Sequence, residues 1–270
     1  MRKISFTKMV ASGNDFIVGD AFTSSFVRPP SSLVKTLCDR KFGIGADGVL
    51  ILGRSKCADF KMRIFNADGS EAEMCGNGAR CAVCYWTDRR KLKDCALNIE
   101  TLAGIIQGQT KGNKVKIKLT DPRDIMTDVP IKVGNRMMKI NFINTGVPHA
   151  VIFVEGLDKI DILEAARLIR YHKFFSPKGT NVNFIEVIAP GAFKIRTYER
   201  GVEDETLACG TGSTASALIF ALKTNWQKRV FVHTKSKEVL KVYFNKNADD
   251  FRDVWLEGKA RIVYGGAYYV

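Results

Sequence analysis

One short pattern occurs twice, and the repeat limits the possible folds more than any other feature. In FNADGSEAEMCGNGARCAVC, Cys75 stands between an acidic, Gly-containing turn and Gly76-Asn77-Gly78, ahead of a helical run. In YERGVEDETLACGTGSTASALIF, Cys209 is followed by Gly210-Thr211-Gly212 and a second such run. Almost half of the 270-residue chain separates the two cysteines. A device repeated at that distance predicts two related units, each carrying a helix launched from Cys-Gly-x-Gly.

The rest of the chain fits that division. Strand-like runs cover Lys3–Val10, Val49–Leu52, Phe60–Phe65, Leu97–Thr101 and Val115–Leu119. After Asp121-Pro122 a second series covers Met137–Asn144, Ala150–Val154, Val182–Val187, Phe193–Tyr198, Val230–His233, Val239–Phe244 and Val254–Leu256. Ala189-Pro190-Gly191-Ala192 reads as a hairpin turn. Helical patterns cover Ser32–Arg40, Asn77–Arg90, Ile162–His172 and Thr211–Lys223. Each half thus holds several strands, one lateral helix and one cysteine-bearing helix. The expected fold is α/β (α+β): two pseudo-symmetric lobes from an internal duplication, each a strand-rich sheet wrapped around a central helix. The boundary falls near Thr120–Asp128. This gives an N-terminal lobe over 1–121, a C-terminal lobe over 122–258, and a final strand over 259–270 returning to the first.

Composition excludes some classes of function. A hydrophobic content of 46% with 26% charged residues is that of a globular enzyme. No apolar run reaches the roughly 18 residues of a membrane span. The N-terminus alternates like a strand and lacks the apolar core of a signal peptide. Seven cysteines, an odd number, then suggest reduced thiols and a cytoplasmic location. The net charge of +14 gathers in Arg89–Lys93, Lys111–Lys118 and Lys223–Arg229. In KVKIKL the lysines alternate with Val115, Ile117 and Leu119, as on a solvated strand face. None of these clusters interleaves charge with aromatics or Gly-rich loops, so neither nucleic acid nor membrane is an expected partner.

The two cysteines point to proton transfer. The free N–H groups and partial positive charge of a helix N-terminus stabilise a thiolate or a bound carboxylate. A thiol, with an ordinary pKa of about 8.5, becomes a usable acid/base group near neutral pH in that setting. Glycine after the cysteine removes a side chain that would keep a ligand off those groups. Inverting a stereocentre needs one group to take a proton from one face and another to return one to the opposite face. Two such thiols suit that work. There is neither a Rossmann fingerprint nor a P-loop, and no cofactor is expected. A competing reading makes Cys75, Cys81, Cys84 and Cys95 the zinc ligands of a basic binding module. Against it, Cys81 and Cys84 sit one turn apart in an apolar helix, and zinc leaves Cys209 unexplained. Cys38 and Cys57 read as packing residues.

Taken together, FTKMVASGNDFIV, DRKFGIGADGVL, FNADGSEAEMCGNGARC, NTGVPHAV, GTNVNFIEV, YERGVEDETLACGTGST and the VYGG tail resemble the diaminopimelate epimerases, in family order over nearly the whole chain. The resemblance implies a cofactor-independent epimerase of lysine and peptidoglycan-precursor synthesis. It would interconvert LL- and meso-2,6-diaminoheptanedioate, with the substrate closed between two lobes. Cys75 and Cys209 match the acid/base pair, and His149 and Glu199 match groups that tune cysteine pKa values. Gly76, Asn77, Gly210 and Thr211 match the residues that hold the reacting carboxylate. Asn14, Asn66 and Asn181 match substrate-contacting asparagines, and Glu199 with Arg200 a pair at the distal amino-carboxylate. Tyr264 matches a tyrosine linked to dimer formation, so a homodimer is expected, and no metal is. Two departures bear on substrate scope. Gly48 replaces a glutamine that contacts ligand in some members, and Val147 replaces the asparagine of Gly-Asn-Pro-His. Related two-cysteine racemases acting on proline or glutamate are the alternative, disfavoured because Asn66, Asn181 and Arg200 suit a long substrate with a second polar end.

Overall fold

The computed structural model describes residues 3–22, 28–112 and 114–270. The chain divides into two compact units, Met1–Ile117 with Gly258–Val270, and Lys118–Glu257. The first unit contains β1 (Lys3–Ala11), β2 (Asn14–Asp20), α1 (Ser31–Cys38), β3 (Gly48–Gly53), β4 (Phe60–Asn66), β5 (Glu71–Ala72), α2 (Gly76–Arg89), β6 (Ala96–Thr101), β7 (Gly104–Lys111) and β8 (Lys114–Lys118). The second contains β9 (Arg123–Val133), β10 (Arg136–Asn144), β11 (Pro148–Phe153), α3 (Ile162–Arg170), β12 (Asn181–Ala189), β13 (Ala192–Glu199), β14 (Asp204–Thr206), α4 (Gly210–Lys223), β15 (Val230–His233), β16 (Val239–Asn247) and β17 (Asp250–Lys259). The last strand, β18 (Arg261–Tyr269), lies antiparallel on β1 with Lys3 opposite Tyr269.

The strand pairings repeat from one unit to the other. In the first, β1–β2 is antiparallel, β2–β3 parallel, β3–β4 and β4–β5 antiparallel, β4–β6 parallel, and β6–β7 antiparallel. In the second, β10–β11, β11–β12, β12–β13, β13–β14, β13–β15 and β15–β16 follow the same order of senses. In each unit one parallel pair is joined through the lateral helix (α1 or α3) and the other through the cysteine helix (α2 or α4), as parallel crossovers require. The duplication extends to register: Phe16 faces Gly48 as His149 faces Asn181, and Leu50 faces Ile64 as Asn183 faces Thr197.

Period-two alternation assigns the two faces of each sheet. In the second unit, Ala150, Ile152, Val182, Phe184 and Tyr198 pack with Ile162, Ala166 and Ile169 of α3 in one core. These helix positions recur at the spacing of one face, and Asp161 caps the helix by accepting the Leu163 N–H at 3.1 Å. In the first unit, Ile17, Val49, Ile51 and Phe65 pack with Val34 and Leu37 of α1. The opposite face of each sheet carries the cysteine helix: Gly78 of α2 abuts Leu50 and Phe16, and Gly212 of α4 abuts Asn183. Both helices are buried almost all round, which accounts for their small residues and for Cys81 inside α2.

The four expected helices are present, with no end shifted by more than two residues. The Pro190-Gly191 turn joins β12 to β13; Gly191 has φ +74°, and a Cβ there would lie 2.5 Å from the Trp226 ring. Strands β2, β5 and β14 are absent from the reading above, as are β7, with Gly104 and Gly108 among polar residues, and β9, which contains Pro130. The pairing of β7 and β9 with β6, β8 and β10 overrides weak local propensity. The segment Thr120–Asp128, read as the boundary, runs into β9. Among the described residues, no helix is long and apolar enough to cross a membrane.

Candidate active site

Each cysteine occupies the same local position in its unit. Cys75 is the N-cap of α2, with extended backbone at φ −144° and ψ 119°, and Cys209 is the N-cap of α4 at φ −112° and ψ 118°. Cys75 Sγ accepts the Gly78 N–H at 3.4 Å, and Cys209 Sγ accepts the Gly212 N–H at 3.4 Å. A sulfur thus replaces the oxygen that normally caps a helix, at the end where the dipole favours negative charge. Cys209 is 7% exposed and Cys75 somewhat more. The Thr211 hydroxyl lies 3.4 Å from Cys209 Sγ, and the Thr211 carbonyl accepts from the Thr145 hydroxyl. A Cβ on Gly76 would meet nothing within 4 Å, so packing does not require glycine there.

The first unit joins two of the expected asparagines into one network. Asn77 Nδ2 donates to Asn14 Oδ1, and Asn14 Nδ2 donates to Asp47 at 3.1 Å. Arg80, fully buried on α2, donates to Asn77 Oδ1 and to the Ser12 hydroxyl, both at 2.6 Å. The guanidinium therefore fixes which way the Asn77 amide points. Beyond Asp47, Arg40 bridges Asp47 and Asp15, and Lys8 pairs with Asp15 at 2.8 Å. Burial alone would raise the Asp15 carboxyl, but hydrogen bonds from Arg40 and Lys8 outweigh it and hold it well below the carboxylate range. Asn66 is exposed and donates to Ser70 at 2.9 Å, apart from the Asn14–Asn77 network. Gly48 is buried, and a Cβ on it would lie 2.6 Å from the Phe65 carbonyl oxygen. Glycine at 48 is thus demanded by the approach of β4, and no side chain fits there. At the second departure, the Val147 carbonyl accepts the Thr145 N–H at 3.2 Å.

The second unit gathers His149, Asn181, Glu199 and Arg200 on neighbouring strand ends. Asn181 Nδ2 donates to the Pro148 carbonyl and Oδ1 accepts the Arg200 N–H, both at 2.9 Å. That leaves one amide hydrogen and one lone pair for other contacts. His149 is completely buried; burial, and then the charge of Arg200, push its pKa down to about 3. Burial pushes the Glu199 carboxyl up, with the Thr206 hydroxyl acting against it. Among the described residues the Arg200 side chain forms no ion pair. Arg170 instead takes Glu203 at 2.8 Å in the following loop. Tyr264, on β18, is 46% exposed and stands edge-on to Phe6.

Cys84 Sγ contacts the Ala260 carbonyl and Cys95 Sγ the Thr110 hydroxyl. Among the described residues, no three His, Cys, Asp or Glu side chains are grouped to hold a metal. Sequence reasoning passed over Arg80 and Asn183. Arg80 could have been noticed as a cation within the run of small residues over 76–83. Asn183 lies two residues from Asn181 on one strand, and so on its face.

The sequence model describing diaminopimelate epimerase matches residues 6–125 and 141–263. A diaminopimelate epimerase of Aquifex aeolicus is 42% identical over 275 residues, covering 97% of each chain. One of Archaeoglobus fulgidus is 44% identical over 231 residues, covering 80% of this chain and 81% of the other. Among solved structures, a phenazine biosynthesis protein of the PhzF family from Bacillus anthracis aligns with a TM-score of 0.77 at 18% identity, over 100% of both chains. A hydroxyproline epimerase from Agrobacterium vitis aligns at 0.73 and 14% identity, over 99% of this chain and 91% of the other. These likenesses show a shared two-domain, sheet-rich fold. The relatives and the matched segments together place this chain in the diaminopimelate epimerase family.

Proposed function

We propose that the chain interconverts LL- and meso-2,6-diaminoheptanedioate without a cofactor, using Cys75 and Cys209 as the two acid/base groups. One observation carries this reading. Two thiols cap two helices at the same position, in units with the same strand pairings, in a chain of this family. One thiolate takes the α-proton, the carboxylate holds the electron pair, and the other thiol returns a proton to the opposite face. One C–H bond breaks and one forms, so the step is redox-neutral and needs no co-reactant.

The surrounding residues divide the remaining work. Gly76, Asn77, Gly210 and Thr211 offer helix N–H groups to the reacting carboxylate. Asn14, Asn66 and Asn181 contact the substrate, and Glu199 and Arg200 receive its distal amino and carboxylate groups, a guanidinium suiting bidentate pairing. His149 and Glu199 tune the thiols. The reaction belongs to lysine and peptidoglycan-precursor synthesis in the cytoplasm. A homodimer forms through β18, where Ile262, Val263 and Tyr264 are 40–48% exposed. The test is exchange in deuterium oxide: LL-diaminopimelate should gain deuterium at one α-carbon as the meso form appears. Isomer exchange without deuterium uptake, or no exchange at all, would remove the two-base reading.

A further inference from the structure

Three strands of the second unit carry a buried polar trio, His149, Asn183 and Thr197, of which the reading above employs only His149. Asn183 is wholly buried between β11 and β13. Its Oδ1 accepts the Thr197 hydroxyl at 3.0 Å, and its Nδ2 donates to the Ala150 carbonyl at 3.0 Å. A carbonyl oxygen only accepts, so these two bonds settle which end of the amide is nitrogen. That same Nδ2 lies 3.2 Å from His149 Nδ1. Facing a donor, Nδ1 must be the unprotonated, accepting nitrogen of the ring. The proton of neutral His149 then sits on Nε2, which is buried and has no hydrogen-bond partner among the described residues.

The matching trio in the first unit is Phe16, Leu50 and Ile64, at the same register and equally buried. An apolar set therefore satisfies this backbone. Placing three polar side chains there costs desolvation that packing does not require. Resting on the epimerase reading, we propose that Asn183 is a positioning residue: it fixes His149 as the Nε2–H tautomer, so that the ring serves the reaction as a neutral hydrogen-bond donor to an anion and never as a base at Nε2. Burial of the ring favours the same neutral state. The anions the reaction offers such a donor are a cysteine thiolate and a substrate carboxylate.

The experiment is nitrogen-15 NMR of the full-length protein labelled in its three histidines at pH 7, with His149 identified by its loss in His149→Gln. We expect a pyrrole-type Nε2 and a pyridine-type Nδ1 for His149. A protonated Nδ1, or a doubly protonated ring, in the wild type would overturn the inference and leave the thiol chemistry standing. Asn183→Asp replaces the donor with an acceptor and should move the proton to Nδ1. With that shift we expect kcat to fall at least about tenfold while KM changes by less than about twofold. A variant with the shifted tautomer and wild-type kcat would overturn the positioning role. The wild-type spectrum requires no substitution, so a variant that fails to fold does not leave the assignment unexamined. Failure of deuterium exchange in wild type, with the tautomer as expected, would instead remove the epimerase reading and the positioning role with it.

Discussion

The two cysteine helices begin on the same backbone but rest on different surfaces. Beneath α2 the sheet presents Phe16, Leu50 and Ile64; beneath α4 it presents His149, Asn183 and Thr197. The helices differ in the reverse sense. Five residues after its cysteine, α2 carries the buried cation Arg80, whereas α4 carries Thr214, whose hydroxyl only bonds back to the Gly210 carbonyl. One unit thus keeps its polar network on the helix and its loops, and the other keeps it in the sheet. Duplication preserved strand order, register and N-cap, which the core requires. The two networks diverged where buried polar groups add nothing to packing, and that is where unequal roles for the two thiols are expected.

The largest expected effect tests what the units share. Cys75→Ala and Cys209→Ala should each lower epimerisation on the order of 10³-fold or more, because either loss leaves one face without its proton relay. Stability should barely change, since the sulfur cap lost from each helix is weak. Turnover near wild type in either variant would mean that the two N-caps are alike in structure only.

The next prediction tests the difference on the helices. Arg80→Met leaves Asn77 Oδ1 and the Ser12 hydroxyl without their donor, and should destabilise by about 2 kcal/mol. Catalysis should suffer too, because the Asn77 and Asn14 amides lose the group that orients them. Thr214→Val at the matching position removes one local bond and should cost no more than about 1 kcal/mol, with kcat/KM unchanged. Chemical denaturation with paired kinetics measures both. Equal effects would mean that the buried cation is merely a tolerated substitute for threonine.

A third test concerns the ground under the helices. His149→Phe copies Phe16 into the second unit. The folded pKa of His149, about 3, lies below the ordinary 6.5, so the unfolded chain takes up a proton first as pH falls. The stability this group contributes is complete above about 6.5 and is lost from there down towards 3. Between pH 7 and pH 5 wild type should lose stability relative to His149→Phe, of order 2 kcal/mol. A difference that stays constant across that range would show that the imidazole reaches water or a carboxylate in the folded state.

Most of the shared plan was legible before any coordinates. Cys-Gly-x-Gly stood out because a glycine pair after a residue that can cap a helix is local chemistry, needing no long-range contact. Strands such as Val49–Leu52 were legible because residues buried on both faces read as continuous apolar runs. β9 and β7 were not, because Pro130 and Gly108 speak against a strand until a partner is known. Among site residues, Asn14, Asn77, His149 and Arg200 were named from motif order, a resemblance that carries position but no geometry. It could not show that Asn14 and Asn77 touch, or that Gly48 is glycine because Phe65 leaves no room. Arg80 and Asn183 escaped because their importance lies in what they orient, and orientation is a tertiary property.

The smallest expected effect on stability separates the helix end as structure from the helix end as a site. Gly76 and Gly78 both follow Cys75, yet only one is held to glycine by packing. A Cβ on Gly78 would press on Leu50 at 3.1 Å, whereas one on Gly76 would meet nothing within 4 Å. Alanine at the first position of a helix is also a better helix former than glycine. Gly76→Ala should therefore change stability by no more than about 0.5 kcal/mol, shifting Tm by less than about 2 °C. If the reacting carboxylate binds the N–H groups at this end, the added methyl stands in its approach, and KM for diaminopimelate should rise ~fivefold with little change in Tm. A calorimetric scan and one saturation curve decide it. Unchanged KM in a stable variant would move the carboxylate away from the start of α2 and leave Cys75 there as a proton carrier alone.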